Sequence, residues 1–149
     1  MLFIIDIDRT IAGGFKAFVE YHNQDLGLGI SPQVLEILPD YRSFLHLPEV
    51  VAYRRTNETQ FQASRARSRI SPQVILALQE LPGAVAGVNF LSQFGYIRYY
   101  TIRSNEVQEA TRQWLAMKQF PNPHDVIFCE SSRDKLINIY SQEAQEAIV

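Results

Sequence analysis

The chain opens with four consecutive apolar residues, Leu2-Phe3-Ile4-Ile5, that run straight into two carboxylates, Asp6 and Asp8. No other feature constrains the fold as much. An apolar run without polar alternation reads as a strand covered on both faces, the kind that parallel sheets use. Two carboxylates two residues apart at the tip of such a strand repel each other. Capping the following turn gives little reason to place both there. A divalent cation would offset the repulsion, and Mg²⁺ takes hard oxygen ligands of this kind. Gly13-Gly14 then permits a sharp change of direction.

After residue 80 the pattern alternates. Val85 to Phe94 reads as a core helix stopped by Gly95. Tyr96 to Ile102 is aromatic and β-branched, hence a strand. Asn105 to Lys118 places Val107, Ala110, Trp114 and Leu115 on one helical face, with Trp114 as core packing. Val126-Ile127-Phe128-Cys129 is a buried strand, Arg133 to Tyr140 a helix, and Ile148-Val149 the opening of a further apolar run. Strand–helix alternation implies a parallel sheet with a site at the carboxyl ends of its strands. The polar clusters fall there: Asp6 and Asp8, then Thr101 and Arg103, then Glu130 to Lys135.

The stretch between residues 13 and 83 is different. Phe15 to about Leu26 reads as a helix closed by Gly27-Leu28-Gly29. Ile30-Ser31-Pro32-Gln33-Val34 recurs as Ile70-Ser71-Pro72-Gln73-Val74. Ser as N-cap and Pro as first helical residue make each a helix start, and reuse of a good cap explains the echo better than duplication. Pro39 and Pro48 punctuate the chain, and Thr56 to Ser68 reads as a polar helix. Arg42 to Arg69 holds six arginines and two acids, Glu49 and Glu58. This basic stretch is either a solvated helical face or a lid over an anionic substrate. Phe44, Tyr53 and Phe61 read as packing within it rather than as a substrate pocket.

The strand-end residues suit phosphoryl chemistry. One carboxylate can attack phosphorus and the other can move the proton. The Thr101 hydroxyl and the Arg103 fork can hold phosphoryl oxygens. Lys135 can neutralise carboxylate and phosphate together, with Arg133 as its substitute. Each has a plainer reading as a cap or surface residue.

Phe3 to Thr10, an apolar strand followed by Asp-x-Asp-x-Thr, resembles motif I of the haloacid dehalogenase superfamily. Tyr99-Tyr100-Thr101 resembles its motif II and Lys135 its motif III. Around Thr101 to Arg103, Thr111 to Leu115, Phe120-Pro121 and Arg133 to Lys135, the chain is most similar to the phosphatase domains of polynucleotide kinases. The resemblance covers residues 1–12 and 84–149, a Rossmann-like α/β core, and leaves 13–83 as a helical insert in a cap position. It implies an Mg²⁺-dependent phosphatase acting through an aspartyl phosphate. Asp6 would be nucleophile and metal ligand, and Asp8 general acid/base with its main-chain carbonyl on the metal. Thr101 and Arg103 would bind the phosphoryl group, and Lys135 would steady the intermediate. The arginines of the insert suit a nucleotide or sugar phosphate as substrate, and a nucleic-acid end is suggested only by the similarity around Thr101. Two departures stand out. Arg9 occupies a position where the family most often has Gly, and no motif IV acid follows Ile148-Val149, with Glu143 and Glu146 coming too early. The expectation is a chain cut short of that acid, whose missing strand would leave a sheet edge able to pair with another chain.

Composition sets outer bounds. The 149 residues carry a net charge of -2 and 46% hydrophobic residues, enough for an ordinary core and no pointer to nucleic acid or anionic membrane. No apolar run reaches the roughly 20 residues of a membrane helix, and Asp6 interrupts any leader-like segment. The single cysteine, Cys129, fits a reducing, cytoplasmic setting and a small buried role. His22, His46 and His124 lack metal-ligand spacing and read as surface or core residues. The competing reading is a non-catalytic binding or regulatory module that keeps the fold. A receiver domain is a distant third, because Asp25 and Asp40 do not follow a middle strand.

Overall fold

A computed structural model describes residues 1–146. Two strands and five helices come first: β1 (Leu2–Asp6), β2 (Ala12–Gly13), α1 (Phe15–Asp25), α2 (Pro32–Ile37), α3 (Tyr41–Leu45), α4 (Pro48–Arg69) and α5 (Pro72–Leu76). Then follow β3 (Gln79–Glu80), α6 (Ala84–Leu91), β4 (Tyr96–Thr101), α7 (Gln108–Met117), β5 (Val126–Phe128) and α8 (Ser132–Glu146). The chain divides into two compact units, one made of residues 1–13 and the chain from Gln79 on, the other Gly14–Leu78. The division falls beside a small antiparallel ribbon in which Ala12 pairs with Glu80 and Gly13 with Gln79. Leu81 extends the contact by donating its N–H to the Ile11 carbonyl. Gly13 and residues 79–83, read from the sequence as insert, therefore fall in the first unit.

The first unit is mixed α/β, with a parallel sheet in the order β1-β4-β5 flanked by helices, compatible with a Rossmann-like fold. β4 is central and buries Ile97, Tyr99, Tyr100 and Thr101, whereas every residue of β1 is half-exposed, as an edge strand must be. α7 buries Ala110, Thr111, Trp114 and Leu115. Trp114 stacks on Phe120 at 5.6 Å, and Tyr99 meets Phe120 edge-on at 6.4 Å. The Tyr99 hydroxyl escapes the apolar core by donating to the Pro121 carbonyl at 2.7 Å. Cys129 is buried, and burial pushes its thiol pKa up, away from reactivity.

Several boundaries differ from the sequence reading. α6 stops at Leu91 and buries only Val88; Phe90 and Phe94 are exposed and touch each other edge-on at 5.1 Å. Gly95 does not cap that helix. It lies against the Met1 backbone, where an added Cβ would run into the Met1 carbonyl, and the next residue, Tyr96, donates its N–H to that carbonyl. α4 begins at Pro48, a good first helical residue rather than a break, and continues past Asn57. Asn57 itself is non-helical (φ −132°, ψ 34°), and its side chain bonds the Tyr53 carbonyl. The helix read over 105–118 opens with a short 3₁₀ turn, Asn105–Val107, and α8 runs further than Tyr140. Ile148-Val149 lies outside the described residues. Among the described residues, no helix is long and apolar enough to cross a membrane.

The second unit is helical around Val19, Ile30, Leu35, Phe44, Val50 and Phe61. Ser31 and Ser71 accept the Val34 and Val74 N–H groups, so the repeated pentapeptide is the same cap used twice. His22 is 1% exposed, with its ring nitrogens 3.0 Å from the Ser64 hydroxyl and 3.2 Å from the Tyr41 hydroxyl. Burial, with Arg65 nearby, pulls its pKa down to about 4.

Two outcomes follow from this packing. Gly95→Ala should destabilise the protein by about 1–3 kcal/mol, because the obstacle is backbone rather than a movable side chain; urea denaturation reads this. His22 is neutral when folded and takes a proton near its ordinary 6.5 when unfolded. Its share of stability is therefore complete above that pH and is lost as pH falls toward about 4. The urea midpoint should drop between pH 7.5 and 5, and the drop should shrink in His22→Gln.

Candidate active site

Parallel pairing puts the carboxyl ends of β1, β4 and β5 on one side of the sheet. Asp6 stands opposite Tyr100, and Thr101 opposite Phe128. The loop after β1 is held by one carbonyl: Thr10, Ile11 and Ala12 all direct N–H groups at the oxygen of buried Ile7. Arg9 closes this turn with φ 65°, a left-handed conformation that costs a side-chain-bearing residue about 1–2 kcal/mol relative to a helical one. The tight turn leaves Asp8 beyond the strand end, with its carboxylate turned back over β4.

There the five residues singled out in the sequence come together. Lys135 Nζ lies 2.6 Å from Asp6 Oδ1. Arg103 donates Nη2–H to Asp8 Oδ1 at 2.7 Å, and its Nε–H is shared between the two Asp8 oxygens at 3.1 and 3.2 Å. The Thr101 hydroxyl donates to Asp8 Oδ2 at 3.1 Å. Asp6 and Asp8 are each 46% exposed, while the Arg103 side chain is 6% exposed. The acids thus face solvent and their cations come from beneath. The donors of Thr101 and Arg103, read as phosphate ligands, rest on Asp8 in this state.

Two supports were not singled out in the sequence. Thr111 is fully buried on α7, donates its hydroxyl to the Val107 carbonyl at 2.8 Å, and accepts Arg103 Nη1–H at 3.2 Å. It fixes the guanidinium plane against Asp8. Asp134 organises the start of α8. Ser131 Oγ accepts the Asp134 N–H, and Asp134 in turn accepts the Glu130 N–H and an Asn138 amide N–H. This reciprocal capping leaves Lys135 in the first turn, aimed at Asp6. The signal for it was the Ser-x-x-Asp spacing of Ser131 and Asp134. Arg133, the alternative to Lys135, is exposed. Arg112 lies over the Phe128 ring at 5.2 Å, next to the end of β5.

The chemistry of this arrangement is well bounded. It holds two carboxylates and two cations, so it is neutral without a ligand. Among the described residues, no three His, Cys, Asp or Glu side chains gather into a metal-binding group. The hard donors are the two carboxylates, which suits a cation that completes its shell with substrate oxygens and water. No protein-family model and no curated protein matches this chain.

If Thr111 positions Arg103, Thr111→Val should cost about 1 kcal/mol through the lost acceptor. In a double-mutant cycle with Arg103→Gln, the two losses should be less than additive. Strict additivity in urea denaturation would contradict the contact.

Proposed function

We propose that the strand-end cluster is a phosphomonoester hydrolase site of haloacid dehalogenase type, working through an aspartyl phosphate on Asp6. The observation that carries this reading is the convergence of Asp6, Asp8, Thr101, Arg103 and Lys135 from three separate strand ends. A phosphate dianion arriving at a neutral cluster brings charge that nothing there yet offsets. Mg²⁺ held by Asp6 and the Asp8 backbone would supply that charge and polarise the phosphoryl oxygens.

Within this reading Asp6 attacks phosphorus in line, so one P–O bond forms as the ester P–O bond breaks. Asp8, entering this step protonated and so released from its ion pair with Arg103, gives that proton to the departing alkoxide. Asp8 then takes a proton from water as that water attacks the aspartyl phosphate, releasing phosphate and restoring Asp6. Lys135 remains on the Asp6 side and offsets charge on the acyl phosphate. Arg103 and Thr101 hold Asp8 at a fixed angle, and a phosphoryl group entering the cluster would compete for the same donors.

The second reading is a non-catalytic binding module. It is favoured by one observation: both Asp8 oxygens are already engaged by Arg103 and Thr101.

The experiment is hydrolysis of a generic aryl phosphate with and without Mg²⁺. Metal-dependent turnover is expected, falling by about 10³-fold or more in Asp6→Asn, the scale of a lost nucleophile. A folded protein that binds phosphate without turnover would select the binding module.

A further inference from the structure

Two covered arginines of the first unit are taken by acids: Arg98 meets Asp125 and Arg103 holds Asp8. Arg112 on α7 is different. It is half-buried, yet among the described residues it makes no hydrogen bond and no ion pair. Glu109, one turn earlier on the same helix, forms no pair with it. What Arg112 has is an aromatic face: its Cζ lies 5.2 Å from the centroid of the Phe128 ring. A guanidinium carries its N–H donors around the edge of a plane, so attraction to a ring face leaves those edges uncommitted. Packing on the ring also narrows the choice of rotamers, which lowers the entropy lost when an anion binds.

The strand register sets Arg112 beside the acid–base cluster. Phe128 is the β5 partner of Thr101, whose hydroxyl bonds Asp8 Oδ2. Paired positions on neighbouring parallel strands share a sheet face, and the strands lie about 4.8 Å apart. For β4 that face is the one α7 covers. Thr101 alternates with Tyr99, which meets Phe120, and Phe120 stacks on Trp114 of α7. The same helix supplies Thr111, the acceptor for Arg103. Asp8, Thr101 and Phe128 therefore form a row along the carboxyl ends of the strands, with Arg103 over the near part and Arg112 over the far part. A phosphoryl group at Asp6 would have Arg112 one to two strand spacings to its side, about 5–10 Å.

We propose that Arg112 is a specificity residue that receives a second anionic group, a carboxylate or another phosphate, on a substrate whose first phosphate is bound at Asp6. The proposal rests on the phosphatase reading of the cluster. The separation matches a short carbon skeleton or one ring between the two acidic groups. A guanidinium edge takes either oxyanion bidentately. The cluster of Asp6, Asp8, Arg103 and Lys135 is neutral by itself, so Arg112 is the added cation that would favour a doubly anionic ester over a singly anionic one of the same shape.

The test is calorimetric titration of the full chain, with Mg²⁺, using three ligands whose P–C bonds resist hydrolysis: phenylphosphonate, 3-carboxyphenylphosphonate and 1,3-phenylenebisphosphonate. At least one of the two doubly acidic ligands is expected to bind about tenfold more tightly than phenylphosphonate, and the tighter of them identifies the second group. Arg112→Gln should abolish that preference, and Arg112→Lys, which keeps the charge without the fork, should retain only part of it. Loss of packing on Phe128 would alter stability without altering the ratio of affinities. Equal affinity for all three ligands, or a preference that survives Arg112→Gln, would overturn the proposal. Turnover of an aryl phosphate without any such preference would sink this proposal alone; no binding of any of the three would sink the phosphatase reading with it. Should Arg112→Gln unfold, Arg112→Lys must still lower the preference.

Discussion

The parallel register of β1 on β4 is the constraint from which the rest of the first unit follows. It joins residues more than ninety positions apart, Leu2 to Tyr96 through Asp6 to Tyr100. A slip of one residue would reverse which side chains face each sheet surface. It would also move Asp6 and Asp8 away from Thr101 and Arg103. Two devices fix the start of the ladder: the absence of a side chain at Gly95 and the Tyr96 N–H on the Met1 carbonyl. The far end is fixed by the acid–base cluster itself, whose contacts are possible only in this register.

That cluster costs conformational freedom and desolvation to assemble. Arg103 is almost completely covered, and a covered guanidinium needs every donor satisfied. Asp8 takes an N–H from Nε and from Nη2 and Thr111 takes one from Nη1, so each nitrogen has a partner and the guanidinium is held along two edges of its plane. The carboxylates remain half-open to solvent. Covered cations with open acids leave the acids available to a ligand.

Much of this was legible from local pattern. The apolar strand ending in Asp6 and Asp8, the two Ser-Pro helix starts and the face of α7 carrying Trp114 each rest on short-range chemistry. What was missed depends on contacts distant in sequence. Phe90 and Phe94 look like core residues in a helix, yet both are more than half exposed. Gly95 looks like a helix stop and serves instead as a point of close backbone approach. Nothing in the spacing of Thr111 ties it to Arg103, and no composition shift marks His22 as the polar centre of an aromatic cluster. Pro48 was legible only in part, because proline both ends and begins helices.

The ribbon of β2 and β3 has a consequence for how such a chain could diversify. Gly13 and Gln79 are paired neighbours, so the long intervening segment leaves and rejoins the first unit at almost one point. The entropy of closing a loop between two fixed ends grows only with the logarithm of its length. Lengthening, shortening or replacing that segment therefore perturbs the sheet little, provided the two-residue stem survives. Residues 14–78 can change while the strand-end acids stay as they are, so the two parts of the chain are free to evolve at different rates.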